Sequence, residues 1–279
     1  MPEGFANPQG QPTNAVYGFA RFLCELMEQT QTTSLAIAFD ESLTQSFRNE
    51  IYPDYKANRD PAPEDLKRQF YWCRDLVGTL GIPAYWSDRF EADDLLASLA
   101  THCQKSNQAV CVVSGDKDLA QLVVGPDDTW WDFSKNRRLD ASGVHAHFGV
   151  HPHQIADFLA LTGDAVDNIP GVPGIGPKSA AALLAHFGDL DSVLNRKDEV
   201  EWLSLRGAKR IANALREHEE AARLARELTG LAHDIESVHA NPLIDRTAGS
   251  PDGLDALMDA LGFGVPLRKR LHKTLQALP

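Results

Sequence analysis

The sequence predicts an α/β protein: a mostly parallel sheet flanked by helices over the first half, followed by a helical part. Three observations carry this. Short apolar runs of strand length end directly on acidic residues. Segments with helical periodicity alternate with them, the pattern of a doubly wound sheet. From His151 onward the strand-like runs stop, and helical segments follow one another across Gly/Pro-rich turns.

Taken in order, Val16–Met27 has the apolar spacing of a helix, and Leu35–Phe39 reads as a strand ending on Asp40. Pro63–Leu80 is helical, a short strand runs near Ile82–Trp86, and Asp93–Cys103 is helical again. Ala109–Ser114 is a third strand, ending on Gly115-Asp116-Lys117-Asp118. His153–Thr162, Lys178–His186, Leu190–Leu194 and Ala208–Leu228 read as helices, as does Leu254–Leu261 near the end. The expected organisation is an α/β part over 1–150, a helical part over 151–231, and a C-terminal extension over 232–279 that packs on the body.

The 279 residues suffice for one large domain or two moderate ones. No apolar stretch reaches the length of a membrane span, and the opening residues lack the basic and apolar regions of a secretion signal. Cys24, Cys73, Cys103 and Cys111 show no CxxC spacing, which points to reduced thiols in a cytoplasmic protein. The net charge of -12 argues against coating nucleic acid by bulk electrostatics. Local basic segments leave nucleic acid open: Arg48, Lys56 and Arg59 interleave with Tyr52 and Tyr55, and Arg268-Lys269-Arg270 forms a compact run.

The acids carry the chemistry. In open α/β sheets, ligands bind outside the carboxyl ends of the strands, where Asp40, Asp116 and Asp118 fall. Glu91, Asp93 and Asp94 open a helix after another strand, and Asp164 and Asp167 follow a later helix. A lone acid at a helix start is usually a cap, and a lone pair after a helix is usually a polar turn. Eight carboxylates gathered without counter-charge would repel and take up protons. Hard divalent cations with oxygen ligands resolve this, and the lack of a Cys/His cluster favours Mg²⁺ or Mn²⁺ over zinc. Two such ions about 3.5–4 Å apart can activate a water and stabilise the leaving oxygen of a phosphoryl displacement.

Two further segments suit a nucleic acid. In Gly171-Val172-Pro173-Gly174-Ile175-Gly176-Pro177-Lys178, the glycines permit a tight hairpin, the next helix can face a phosphate, and Lys178 adds charge. Such contacts position a duplex without reading its sequence. The same string also reads as a plain connector between helices. The cation–aromatic segment 47–63 suits a single strand, with Tyr55 among the rings and Arg48, Lys56 and Arg59 along the backbone; it also reads as a solvated loop. Trp130-Trp131 is expected in the core or at a sheet edge, and His151 and His153 on the surface around a turn.

These strings resemble a known family. AFD at 38–40, EADD at 91–94, SGDKDLAQL at 114–122 and GDAVDNIPGVPGIGPKSA at 163–180 are similar to the bacterial 5′–3′ exonucleases and flap endonucleases. These form the nuclease domain of DNA polymerase I and its stand-alone relatives. FRNEIYPDYKANR at 47–59 resembles the family's helical arch, which encloses the 5′ strand. The resemblance spans nearly the whole chain. It implies a PIN-like nuclease core with a helix-hairpin-helix DNA-binding subdomain, and metal-dependent cleavage of 5′ ends and 5′ flaps during replication and repair. It assigns Asp40, Glu91 and Asp93 to a first metal, Asp116, Asp118, Asp164 and Asp167 to a second, and Asp94 near both. Lys56 and Arg59 would contact the scissile phosphate region with Arg48 as a helper, and 171–178 would grip duplex DNA with a monovalent cation such as K⁺. Partners implied are DNA with 5′ ends or flaps, and a separate DNA polymerase and ligase; the protein is expected to be a monomer with no membrane association.

The chain departs from the family at its start. Members begin with an apolar strand ending in Asp-Gly whose Asp is a first-metal ligand, whereas Phe5–Gly18 here matches the segment downstream. The expectation is that Met1 is internal to a longer reading frame, and that the chain as written cleaves weakly or folds poorly. The alternative function is then a flap-binding protein without cleavage. A metal-dependent ribonuclease is a further alternative, which the hairpin and arch segments disfavour. A haloacid-dehalogenase phosphatase is disfavoured because Asp40-Glu41-Ser42 lacks the second Asp.

Overall fold

The computed structural model describes residues 5–41, 46–239 and 242–276; Met1–Gly4, which bear on the expected start, lie outside them. The first half of the chain contains α1 (Asn14–Thr30), β1 (Ile37–Ala38), α2 (Phe47–Ile51), α3 (Glu64–Thr79), β2 (Ala84–Tyr85), α4 (Ala92–Lys105), β3 (Cys111–Val113), β4 (Thr129–Asp132), β5 (Arg137–Leu139) and α5 (Ala141–Phe148). There follow α6 (Ile155–Thr162), α7 (Pro177–Phe187), α8 (Leu190–Asn195), α9 (Ala208–Glu217), α10 (Glu219–Thr229), α11 (Glu236–His239), α12 (Pro251–Leu261) and α13 (Val265–Gln276). Two compact units interleave along the sequence: residues 1–40, 60–86 and 242–279 form one, and 41–59 and 87–241 the other.

In the first unit, α1 buries Val16, Ala20, Leu23, Cys24 and Met27 at helical spacing, so one apolar face meets the core. That core also takes Leu76, Val77 and Leu80 from α3 and its end, and Leu254, Met258, Leu267 and Leu271 from α12 and α13. β1 pairs parallel with β2, Ile37 opposite Ala84. Arg268 and Arg270 of α13 pair with Asp255, Asp259 and Glu28. Two cations of that basic run are therefore engaged within the unit, a role the sequence did not suggest.

In the second unit, β3 pairs parallel with β4 and β4 antiparallel with β5. The sequence anticipated β1, β2 and β3 but not β4, β5, α5 or α13. Trp130 and Trp131 of β4 are buried, as their aromatic bulk suggested. Apart from Asp157 and Thr162, α6 is apolar and nearly fully buried, the signature of a helix enclosed by its neighbours. The predicted single helix 208–228 is two, α9 and α10, interrupted at His218. All four cysteines are free. Among the described residues, no helix is long and apolar enough to cross a membrane.

Candidate metal centre and DNA-binding surface

Glu91 sits at the N-terminal edge of α4 with an extended backbone, and its N–H donates to the Asp94 carboxylate at 3.2 Å. This is an ordinary helix-capping arrangement, but both acids also meet cations. Arg48 donates to the two Asp94 oxygens at 2.7 and 2.8 Å, to Glu91 at 3.3 Å, and to the carbonyls of Leu228 and Gly230 at 2.8 and 2.7 Å. The Ala232 N–H completes the Asp94 shell at 2.9 Å. Burial opposes the charge on Arg48, but the Asp94 and Glu91 carboxylates outweigh it and hold the guanidinium above its ordinary pKa.

Arg48 was expected to help grip DNA. It is 2% exposed, and its donors already serve internal acceptors, so that expectation is corrected: Arg48 is an internal anchor. Tyr55 is corrected likewise. Its ring is buried, and its hydroxyl lies 3.0 Å from Glu91 and 3.2 Å from Asp167. Burial, then the charges of Glu91 and Asp167, push its phenol pKa upward, so it stays a hydrogen-bond donor.

Lys56 and Arg59 do reach the acids. Lys56 Nζ is 2.8 Å from Glu91 and 3.9 Å from Asp167, and Arg59 pairs with the other Asp167 oxygen. Backbone contacts dock this segment on the acidic loop: Lys56 N–H donates to Asp167 O at 3.0 Å, and the Asn168 side chain to Asp54 O at 2.7 Å. Only 47–51 of the arch-like stretch is helical; the rest is turns that lie over the loop.

Asp116 and Asp118 follow β3, and Asp116 caps the next turn by accepting the Asp118 N–H at 3.0 Å. Asp118 is nearly buried. Among the described residues its Oδ1 has no hydrogen-bond partner, although Lys117 Nζ stands 3.3 Å away. Burial first, then repulsion from Asp116, pushes its carboxyl up to about 7; Asp164 and Asp167 add to the repulsion. Lys117 also pairs with Asp164, and these two acids hold its ammonium above the usual lysine pKa against the effect of burial. Lys117 was not singled out from sequence, although its place between Asp116 and Asp118 was the available signal.

Asp164 sits on a short antiparallel bridge to Ile169, and its Oδ1 accepts the Val166 N–H at 2.9 Å. Asp116, Lys117, Asp164 and Asp167 open onto a cavity of about 350 Å³, whose other wall includes Lys135, Arg137, His147, Trp130 and Phe148. Asp93 stands in the first turn of α4. Asp40 follows β1 and belongs to the first unit.

The glycine-rich segment divides by role. Gly163 and Gly171 meet backbone to backbone: a Cβ on Gly171 would lie 2.3 Å from Gly163 N, and one on Gly163 would lie 2.5 Å from Gly171 N. Gly171 therefore lets the hairpin approach the acidic loop. Val172 is buried, and its N–H donates to Leu161 O at 2.9 Å. These two were expected to face DNA, and close packing against the end of α6 gives them a structural part instead. Gly174 has φ +84, open to glycine at little cost. Gly176 precedes the first turn of α7, and Lys178 in that turn is exposed.

Among the described residues, no group of three or more His, Cys, Asp or Glu side chains is arranged to hold a metal ion in this conformation. The donor chemistry nevertheless fits a hard divalent cation. The acids offer only oxygen, one buried oxygen of Asp118 lacks a hydrogen bond, and lysine and arginine side chains supply the positive charge the acids require.

Residues 1–149 match the family model for the 5′-3′ exonuclease N-terminal resolvase-like domain, and 150–246 match that for the 5′-3′ exonuclease C-terminal SAM fold. The chain is 38% identical to DNA polymerase I of Mycobacterium bovis, a match covering 99% of this chain and 30% of that protein. It is 41% identical to DNA polymerase I of Pseudomonas aeruginosa, covering 94% of this chain and 27% of that one. The chain thus spans under a third of the length of these curated relatives. In fold it is similar to T5 5′-exonuclease with bound zinc (TM-score 0.64, 21% identity, 93% of this chain and 91% of that one). It is also similar in fold to the catalytic core of Rad2 in complex with DNA (TM-score 0.60, 18% identity, 94% and 83%). With both halves matched in order by its models, the chain belongs to the 5′-3′ exonuclease family.

Proposed function

We propose that this chain is a divalent-metal-dependent 5′–3′ exonuclease and 5′-flap endonuclease that hydrolyses DNA phosphodiesters. The observation that carries the reading is the group Asp116, Asp118, Asp164 and Asp167, whose mutual repulsion is offset by Lys117 and Arg59. Residues 1–150 form the nuclease core with the arch near 47–63, 151–231 the helix-hairpin-helix part, and 232–279 a C-terminal extension.

Asp116, Asp118, Asp164 and Asp167 would hold one Mg²⁺ or Mn²⁺, and Glu91 and Asp93 would serve another. The bound ions supply activation of water and stabilisation of the leaving oxygen. Asp94 acts through Arg48, keeping α4 and the Glu91 carboxylate in place. Lys56 and Arg59, now paired with Glu91 and Asp167, can transfer their N–H donors to the phosphate as the acids are neutralised. Tyr55 supports Glu91 and Asp167 from below with its hydroxyl. Gly174, Gly176 and Lys178 grip the duplex, with K⁺ as the monovalent cation there, and hold it without reading its sequence. The substrate is DNA with a 5′ end or flap, handed on to a DNA polymerase and a ligase in the cytoplasm; the protein works as a monomer.

The test is cleavage of an end-labelled 5′-flap duplex in Mg²⁺ and in Mn²⁺, with binding measured in Ca²⁺. Asp116→Asn and Asp164→Asn are expected to lose about 100-fold or more in rate while still binding the flap. Binding by the parent chain without cleavage in either metal would replace this reading with that of a flap-binding protein. Cleavage of an RNA flap in preference to DNA would overturn the substrate.

A further inference from the structure

Most arginines of α9 and α10 have partners. Arg216 pairs with Asp198 and Glu201, Arg223 with Asp191 and Glu219, and Arg226 with Asp157. Arg210 of α9 does not. It is exposed, and its side chain makes no hydrogen bond or ion pair among the described residues, as is also true of Lys178, Arg206 and Lys209. In a chain of net charge -12, a cation without an acid beside it calls for a physical reason.

Its position supplies one. The guanidinium of Arg210 lies over the hairpin at Gly174, its Nη2, Cζ and Nε 3.5 to 3.6 Å from where a Cβ on that residue would be. Gly174 lies in the left-handed region at φ +84 and carries no side chain to cover the planar group. The hairpin and α9 thus place a delocalised charge with free N–H donors beside the turn that leads into α7 and Lys178. An exposed guanidinium of a helix, set beside a turn, matches a phosphodiester, which accepts its paired donors.

We propose that Arg210 is a duplex-binding residue that, with Lys178, holds the phosphate backbone of the DNA lying on the 171–178 hairpin. This rests on the reading of that hairpin as the duplex grip. The ligand is the sugar–phosphate backbone of double-stranded DNA, and no base is read.

The experiment measures binding of blunt duplex DNA and of single-stranded DNA in Ca²⁺ across a range of KCl concentrations. The parent, Arg210→Ala, Arg210→Lys and Lys178→Ala are compared. Each phosphate contact contributes about 0.9 to the slope of log affinity against log salt. Arg210→Ala is expected to lower the duplex slope by about that amount, Arg210→Lys to restore it, and single-strand binding to stay at the parent level. A parent-like duplex slope in Arg210→Ala overturns the inference; if Lys178→Ala lowers the slope in the same series, the hairpin reading stands. If both variants keep the parent slope, or the parent binds no duplex, the hairpin reading fails as well.

Discussion

The carboxylate of Asp94 accepts two hydrogen bonds from Arg48 and one each from the N–H groups of Glu91 and Ala232, all within 3.2 Å. Neither residue is more than 2% exposed, so the charges compensate one another where water cannot. Removing one partner leaves the other buried and unpaired. Arg48→Ala should therefore cost about 3–5 kcal/mol, read from denaturant unfolding. A loss near zero would show that Asp94 finds another partner. Lysine should not substitute well, since a single ammonium cannot reproduce the fork that meets both oxygens and two carbonyls. From the sequence alone, Arg48 was indistinguishable from Lys56 and Arg59: three cations beside aromatics. What separates them is that Arg48 extends to carbonyls at 228 and 230, whereas Lys56 and Arg59 reach only the acids and the Val166 carbonyl of the acidic loop itself.

At the scale of elements, the close approach of Gly163 and Gly171 couples the end of α6 to the hairpin. Gly171→Ala would place a methyl 2.3 Å from backbone atoms of Thr162 and Gly163. Backbone, unlike a flexible side-chain tip, cannot step aside, so a loss of at least about 1–3 kcal/mol is expected in thermal or denaturant unfolding. Gly176→Ala meets open space and should be tolerated. The turn after β4 offers a pH-dependent counterpart. Asp132 accepts from Lys135 Nζ at 2.9 Å, Ser134 Oγ at 2.8 Å and Lys135 N at 3.2 Å. These bonds, the lysine first, draw its carboxyl down to about 2. A carboxyl depressed on folding stabilises above its unfolded value of about 4, and that contribution is lost as pH falls through the folded value. Asp132→Asn should thus flatten the decline in stability between about pH 4 and about pH 2, measured as melting temperature against pH; an unchanged decline counts against the role. The helices with strong apolar periodicity, α1, α3, α4 and α7, were legible in the sequence. β4 and β5 were not, because Thr129–Asp132 and Arg137–Leu139 are too short and too polar for alternation to declare them.

For the whole molecule, 39 acidic against 27 basic residues make the fold sensitive to cations. A divalent ion bound only by the folded state stabilises by about 2.7 kcal/mol at a hundred times its dissociation constant. Mg²⁺ or Mn²⁺ should therefore raise the melting temperature relative to EDTA at matched ionic strength, and Asp118→Asn should reduce that rise. An equal rise in the variant would detach Asp118 from the ion. The sequence by itself determined the order of the acids along the chain, their places after strands and at helix starts, the oxygen-only donor chemistry and the family pattern. These depend on local propensity and spacing, which a linear chain carries openly. Only the tertiary structure decided which cation answers which acid: Lys56 meets Glu91 across 35 positions and Tyr55 meets Asp167 across 112. It likewise decided that Arg48, Tyr55, Gly171 and Val172 serve the interior while Lys178 and Arg210 stay exposed. Burial and pairing are set by which distant segments pack together, and that depends on the whole fold rather than on any window of sequence.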